Sequence, residues 1–208
     1  MSKKMNIIPF KRKKLKVLGE EGMILINRET DGRVKKMKLN FDDVYKIMKQ
    51  SFPLEEIRSY EGQRALLDRE DYFIKTYIHN GEMAGFCAYY ELNDFLYIEH
   101  LACSPEVRGL GIGTKLVQEV LDEAGERVVI LEVEPPVDEM TKRRVAFYEK
   151  LDFYLNPYYH FQPPLNKDTD GVELKIMSSA RSLTAEEQEA YRRVLNTYIY
   201  HVQEDLYI

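Results

Sequence analysis

The stretch Cys103-Ser-Pro-Glu-Val-Arg-Gly-Leu-Gly-Ile-Gly-Thr-Lys-Leu116 decides how the rest of the chain is interpreted. It follows an apolar run, residues 95–103, with the composition of a β-strand, and it leads into apolar residues at helical spacing. Three alternating glycines, Gly109, Gly111 and Gly113, fall where that helix begins. Backbone N–H groups at a helix N-terminus lack intrahelical partners and carry the positive end of the helix dipole. Since glycine has no Cβ, an anion can approach them closely, and the stretch predicts a phosphate-binding turn.

The elements around this turn alternate between helices and strands. Downstream, Gly125 is placed to end the helix, and the apolar run 128–133 predicts a buried strand, parallel to the strand before the turn through a right-handed crossover. A helix beginning at Asp138 or Thr141 follows, and strands are predicted over residues 153–161 and 172–177.

Upstream, residues 72–103 predict a three-stranded meander in which Asn80-Gly81 makes the first hairpin turn. A helix capped by Asn40 or Asp42 and an interrupted helix over residues 54–69 come before it. A capping box, Thr184-Ala-Glu-Glu187, opens a terminal amphipathic helix. This order of elements predicts an α/β (α+β) domain with a mixed sheet.

Charged residues are unevenly distributed along the chain. Residues 1–38 hold 12 Lys and Arg against 4 Asp and Glu, whereas the rest holds 18 against 31. We interpret residues 1–38 as a basic extension, partly disordered or forming a small hairpin, 39–180 as the main domain, and 181–208 as a C-terminal helix packed on the domain or on a partner subunit. The extension is expected to be a solvated segment rather than a nucleic-acid-binding arm.

Composition excludes several classes of protein. No apolar run approaches the ~20 residues that span a bilayer, and the N-terminus lacks the apolar region of a signal peptide. Cys87 and Cys103 are therefore expected to be free thiols. We expect a cytoplasmic protein without a membrane partner or a metal site.

Two common phosphate-binding motifs fit the glycine turn poorly. A P-loop requires Gly-Lys-Ser/Thr, but Gly113 is followed by Thr114 and Lys115 in the wrong order. The dinucleotide motif G-x-G-x-x-G has Thr114 in place of its third glycine. This second alternative stays open because Glu132 lies near the end of the next strand, where a ribose-binding acid is expected.

The pattern that fits is R-x-x-G-x-G, formed by Arg108, Gly111 and Gly113. It resembles the signature motif of the GNAT N-acetyltransferase superfamily, and Ala146-Phe-Tyr-Glu-Lys-Leu-Asp-Phe153 is similar to the second motif of that family. The resemblance covers about residues 40–177 and implies a mixed, mostly antiparallel sheet flanked by helices, with two parallel strands splayed around acetyl-CoA. Asp152 stands where the family usually has glycine, and Thr141 where it often has asparagine.

The resemblance also implies a site. The turn would hold the pyrophosphate of acetyl-CoA, and the pantetheine arm would pair with the strand before the turn. The implied cofactor-binding residues are Leu101, Ala102, Cys103, Arg108, Gly109, Leu110, Gly111, Ile112, Gly113 and Thr114.

Two residues are predicted to be catalytic. Tyr148 in the second motif is the expected general acid, because a phenol with a pKa of about 10 is protonated at neutral pH and can donate to the departing thiolate. Glu99 is the expected general base, and a surface carboxylate is its alternative interpretation. Strand alternation predicts that Glu99 shares a face with Tyr97, Leu101 and Cys103.

These residues predict transfer of an acetyl group from acetyl-CoA to a primary amine by direct attack in a ternary complex. A non-catalytic acyl-CoA-binding or interaction module is the alternative. The acceptor is expected to be a small-molecule or peptide amine. The resemblance implies an acceptor wall at Tyr158, Tyr159, Phe161 and the Gln162-Pro-Pro loop, unless these aromatic residues belong to the core. A homodimer is possible.

Overall fold

The computed structural model describes residues 18–19, 22–28, 34–38, 40–166 and 169–202. Its strands are β1 (Leu18–Gly19), β2 (Gly22–Arg28), β3 (Val34–Lys38), β4 (Tyr72–His79), β5 (Glu82–Glu91), β6 (Phe95–Cys103), β7 (Val128–Val133), β8 (Phe153–Leu155), β9 (His160–Gln162) and β10 (Val172–Ser179). Its α-helices are α1 (Phe41–Ser51), α2 (Tyr60–Ala65), α3 (Ile112–Ala124), α4 (Glu139–Glu149) and α5 (Ala185–Val194).

Seven strands form the main sheet, in the order β4-β5-β6-β7-β10-β8, with β9 pairing with β10. The central pair β6–β7 is parallel, and the other pairs are antiparallel. The crossover through α3 makes β7 parallel to β6. The prediction of a mixed, mostly antiparallel sheet with one parallel pair is therefore confirmed.

Local signals produce the predicted turns and helix ends. Asn80 and Gly81 both have positive φ, 53° and 84°, as a type I′ hairpin turn requires. The Asn40 side chain accepts a hydrogen bond from the backbone N–H of Asp42 at the start of α1. Capping boxes open α4 at Asp138 and α5 at Thr184.

Helices cover both faces of the sheet. Helices α1 and α5 pack on one face, where the ring of Tyr191 meets that of Phe95 with centroids 4.7 Å apart. Helices α3 and α4 pack on the other face, through residues such as Val117 and Val145. The C-terminal helix thus packs on the domain of its own chain. Within the described residues, no helix has the length and apolar character needed to cross a membrane.

The N-terminal region is described in part. Strands β1, β2 and β3 form a separate antiparallel sheet, in the stretch where a hairpin was expected. Residues 1–17 lie outside the described residues, so the partial disorder expected within residues 1–38 stays a prediction, as do the proposed boundaries at residues 38 and 180.

Two predicted elements are wrong in extent. The strand expected over residues 153–161 is interrupted after β8, because Asn156 uses its side chain to bond the backbone of neighbouring segments and Pro157 has no N–H to donate. The Asn156 amide donates to the carbonyl oxygen of Ile176 at 3.0 Å and accepts from the N–H of Leu183 at 2.7 Å. The terminal helix is α-helical only to Val194 and continues as one π-helical segment, Leu195–Ile199.

The turn after α4 generates a stability prediction. Asp152 has φ 60°, in the left-handed region that glycine adopts without a steric penalty. Relief of about 1–2 kcal/mol of strain should exceed the roughly 0.5–1 kcal/mol entropy cost of glycine. We expect Asp152→Gly to raise the free energy of unfolding by about 0.5–1 kcal/mol in urea denaturation, and the β-branched control Asp152→Val to lower it. A less stable glycine variant would contradict this explanation.

Candidate active site

A cleft opens where the two central parallel strands separate. Strands β6 and β7 are paired only from Phe95 and Val128 to Ile98 and Leu131. Beyond that last pair lies a cleft of about 450 Å³, lined by both strands, by α4 and by the loop after α1. The backbone of β6 past Ile98 thus has no β7 partner on the cleft side within the described structure, although its other edge still pairs with β5.

A β-bulge in β6 corrects the predicted strand alternation. Ile98 pairs with Tyr89 and His100 pairs with Ala88, so that Glu99 is an extra residue in β6. An extra residue moves every following side chain to the opposite face of the sheet.

The two apolar clusters show this reversal. Leu101 and Cys103 pack with Ile98 in the cluster on the α3 side, whereas Ala102 packs with Tyr97 in the cluster on the α1 side. The prediction that Leu101 and Cys103 share a face with Tyr97 is therefore wrong, and the bulge is the reason.

The predicted cofactor-binding residues fall into two groups. Leu101, Ala102, Cys103 and Arg108 line the cleft. The other six, residues 109–114, form the adjoining turn and the first turn of α3, and they do not line this cleft.

The glycine turn has the backbone geometry that its sequence predicts. Gly109 and Gly111 have φ of 85° and 74°, in the region that glycine adopts without a steric penalty, and Gly111 is the N-cap of α3. In the described structure, no side chain caps α3 and its first turn contains no acidic residue. Its first N–H groups are consequently available to an anion, with Arg108 beside them.

Glu99 is buried and ion-paired rather than exposed. Its side chain is 3% exposed, and Arg58 Nη1 lies 2.6 Å from its Oε1. Burial raises the pKa of Glu99, but the charges and hydrogen bonds of Arg58 and His100 outweigh burial and lower it to about 2. The surface interpretation of Glu99 is wrong. Its role as general base stays a prediction, and a pKa this low makes it a weak proton acceptor.

Tyr148 faces the cleft from α4 with a free hydroxyl. Its ring packs against Phe147 and Phe153, with centroids 5.0 Å and 5.8 Å away. Its hydroxyl has no hydrogen-bond partner in the described part of the chain. Burial raises the pKa of Tyr148, so the phenol is protonated and can donate to a group bound in the cleft.

The cleft contains a buried hydrogen-bond network that the sequence patterns did not predict. The Glu132 carboxylate accepts from the hydroxyls of Tyr97 and Tyr200, each at 2.5 Å, and its other oxygen contacts His160 Nε2. Burial raises the pKa of Glu132, but His160 and the two hydroxyls outweigh burial, and the pKa is lowered. Since both carboxylate oxygens are engaged, the interpretation of Glu132 as a ribose-binding acid is not supported.

Cys103 and the aromatic residues of the expected acceptor wall contribute less to the cleft than predicted. Burial raises the pKa of the Cys103 thiol despite the charge of Arg108, which fits a packing role. The expected aromatic wall does not line the cleft, and Tyr159 is 67% exposed. Gln162, just after those aromatic residues, does line it.

The buried ion pair predicts a large effect on stability. Arg58→Met leaves the Glu99 carboxylate buried without its counter-ion, and we expect the free energy of unfolding at pH 7 to fall by about 3–5 kcal/mol. The double variant Arg58→Met/Glu99→Gln should recover most of the loss. Arg181→Met is a matched control that breaks an exposed ion pair with Glu187 and should cost about 1 kcal/mol or less. Urea denaturation measures all three.

The same pair predicts the direction of the pH dependence. The pKa of Glu99 is about 2 in the folded protein, against an ordinary value of 4.5. The unfolded chain therefore takes up this proton first as the pH falls. The contribution of the ion pair to the free energy of unfolding should be fully present above pH 4.5 and should be lost as the pH falls towards 2. If the free energy of unfolding of Glu99→Gln fell by the same amount between pH 4.5 and 2, the assignment of this pH dependence to Glu99 would be contradicted.

Comparisons with known proteins agree with this geometry. The chain is 32% identical over 113 residues to YjbC of Bacillus subtilis strain 168, a protein named for a proposed acetyltransferase activity, with 52% of this chain and 55% of YjbC covered. It is 30% identical over 117 residues to the L-2,4-diaminobutyric acid acetyltransferase of Vibrio parahaemolyticus, with 53% of this chain and 62% of that protein covered. The matches thus span little more than half the length of these curated relatives.

A solved structure matches over a larger share of the chain. It comes from Bacteroides thetaiotaomicron and is assigned to the GNAT family. It is 33% identical, with a TM-score of 0.69, and the match covers 78% of this chain and 93% of that one. The sequence profile of the acetyltransferase (GNAT) family matches residues 41–153. The chain therefore belongs to the GNAT acetyltransferase family.

Proposed function

We propose that this protein transfers an acetyl group from acetyl-CoA to a primary amine, by direct attack in a ternary complex. The observation that carries the proposal is the gap where β6 and β7 separate past Ile98 and Leu131, which we call the fork. The free hydroxyl of Tyr148 faces the fork, and the glycine turn lies beside it. A thioester bound in the fork would have a proton donor next to its sulfur and an anion site for its phosphates.

The fork provides a binding mode for an extended chain containing amides. The backbone of β6 from Glu99 to Cys103 has lost its β7 partner, and its N–H and C=O groups can pair with the amides of a pantetheine arm as a missing strand would. Arg108 and the N–H groups of residues 109–114 would then hold the pyrophosphate.

The reaction needs proton transfers at two atoms, the amine nitrogen and the thiolate sulfur. The amine nitrogen attacks the thioester carbonyl carbon, the C–S bond breaks, and the thiolate takes a proton from Tyr148. As the C–S bond breaks, the nitrogen loses one proton, which restores the Tyr148 hydroxyl. It loses another before the attack, because an alkylamine with a pKa of about 10 arrives as its ammonium ion. Glu99 was the predicted acceptor of that proton, but its ion pair with Arg58 keeps it a weak base.

Acetyl-CoA binding and turnover test the proposal. We expect acetyl-CoA to bind in isothermal titration, and CoA to be released with members of an amine and peptide panel. Tyr148→Phe should lower turnover by about 100-fold while leaving the acetyl-CoA affinity within about 2-fold, because only proton donation is lost. Tyr154→Phe, a half-exposed tyrosine outside the cleft, is the control and should behave as wild type.

Each negative outcome has a distinct meaning. Absence of acetyl-CoA binding at high micromolar concentration would sink the proposal. Binding without CoA release for any amine would indicate an acyl-CoA-binding module instead. Equal losses of affinity and turnover in Tyr148→Phe would give Tyr148 a binding role. A cytoplasmic location and a homodimer stay predictions.

A further inference from the structure

Four carboxylates line the cleft, and three of them have partners. Glu99 is paired with Arg58, and Glu134 contacts Arg144. Glu132 is held by His160 and two tyrosine hydroxyls. The fourth, Glu56, has a side chain with neither a hydrogen bond nor an ion pair among the residues that the structure describes. It is therefore the carboxylate available to a cation that enters the cleft.

Backbone contacts fix Glu56 beside the fork. It ends a short 3₁₀ helix, Leu54–Glu56, and its carbonyl oxygen lies 2.9 Å from His100 Nε2. The ring of Phe52 packs edge-on against the His100 ring, with centroids 4.8 Å apart. The loop after α1 is thus attached to β6 at the residue next to the bulge, where a bound thioester would lie.

Glu56 lines the cleft among charged groups from several elements. Those acting on it are Arg144 of α4, His100 of β6, Glu132 of β7 and its neighbour Glu55. The first three line the cleft. Burial is the main cause that raises the pKa of Glu56; Glu132 and Glu55 add to it, and Arg144 and His100 oppose it. The pKa of Glu56 is thus raised, whereas that of Glu99 is lowered, so Glu56 is the better proton acceptor of the two.

We propose that Glu56 binds the ammonium group of the acceptor and takes its proton before the amine attacks the thioester. This inference rests on the proposed acetyl transfer. The protons balance: the ammonium nitrogen loses one to Glu56 before the attack and a second as the C–S bond breaks, and that second proton replaces the one that Tyr148 gives to the departing thiolate. The released product is a neutral amide, which no longer has a charge to bind Glu56.

The inference also defines the class of acceptor. An unpaired, half-buried carboxylate favours a cation that satisfies it over a neutral group of the same size. Alkylamines are cations at neutral pH, whereas arylamines are not. The acceptor is accordingly an alkylammonium compound, and an amine attached directly to an aromatic ring is a poor substrate.

Kinetics of a matched pair of variants tests this assignment. With phenethylamine as acceptor at pH 7, Glu56→Gln should lower kcat/KM by about 100-fold and leave acetyl-CoA affinity unchanged. The deficit in kcat/KM should shrink as the pH approaches about 10, where about half of the amine is neutral. Glu55→Gln removes a neighbouring carboxylate that does not line the cleft, and it should behave as wild type. Wild-type enzyme should use aniline poorly.

A second readout does not depend on acetyl transfer. Carbodiimide coupling of glycinamide, located by peptide mass spectrometry, should label Glu56 before Glu99, Glu132 and Glu134, and phenethylammonium should slow that labelling. Faster labelling of the other three, wild-type kcat/KM in Glu56→Gln, or equal use of aniline would overturn the inference. If acetyl-CoA fails to bind, the proposed function fails, and the labelling order still decides whether Glu56 is the free carboxylate of the cleft.

Discussion

The separation of two parallel strands after four residue pairs is the constraint on which the rest of the site depends. The first residue past the last pair is a glutamate on each strand, Glu99 on β6 and Glu132 on β7. Neither carboxylate can be buried alone, and each has partners from elsewhere in the chain: Arg58 for Glu99, and His160 with two tyrosines for Glu132. Paired carboxylates thus line the fork, at positions where apolar side chains would favour its closure.

Segments beyond the family match contribute to this site. The profile ends at residue 153, but His160 of β9 and Tyr200 after the π-helical segment both reach Glu132. The chain after α4 therefore does more than complete the sheet, because it holds one of the carboxylates at the fork. The loop after α1 acts similarly on the other strand, through the contact between Glu56 and His100.

The features that could be predicted from sequence are those that a few neighbouring residues determine. The Asn80-Gly81 hairpin, the capping boxes and the glycine turn have this property, and the helix between β6 and β7 is sufficient to make those strands parallel. The bulge at Glu99 depends on register with β5, which alternation along one strand does not show. The partners of Glu132 lie up to 68 residues away, so no local pattern indicates them.

We propose that the fork and the glycine turn together form one acetyl-CoA site. A crystal structure of the protein with CoA tests it most directly. We expect pyrophosphate oxygens within hydrogen-bond distance of the N–H groups of residues 109–114, pantetheine amides paired with the β6 backbone past Ile98, and the sulfur near the Tyr148 hydroxyl. CoA bound elsewhere, or bound at the turn with its pantetheine arm outside the fork, would contradict it.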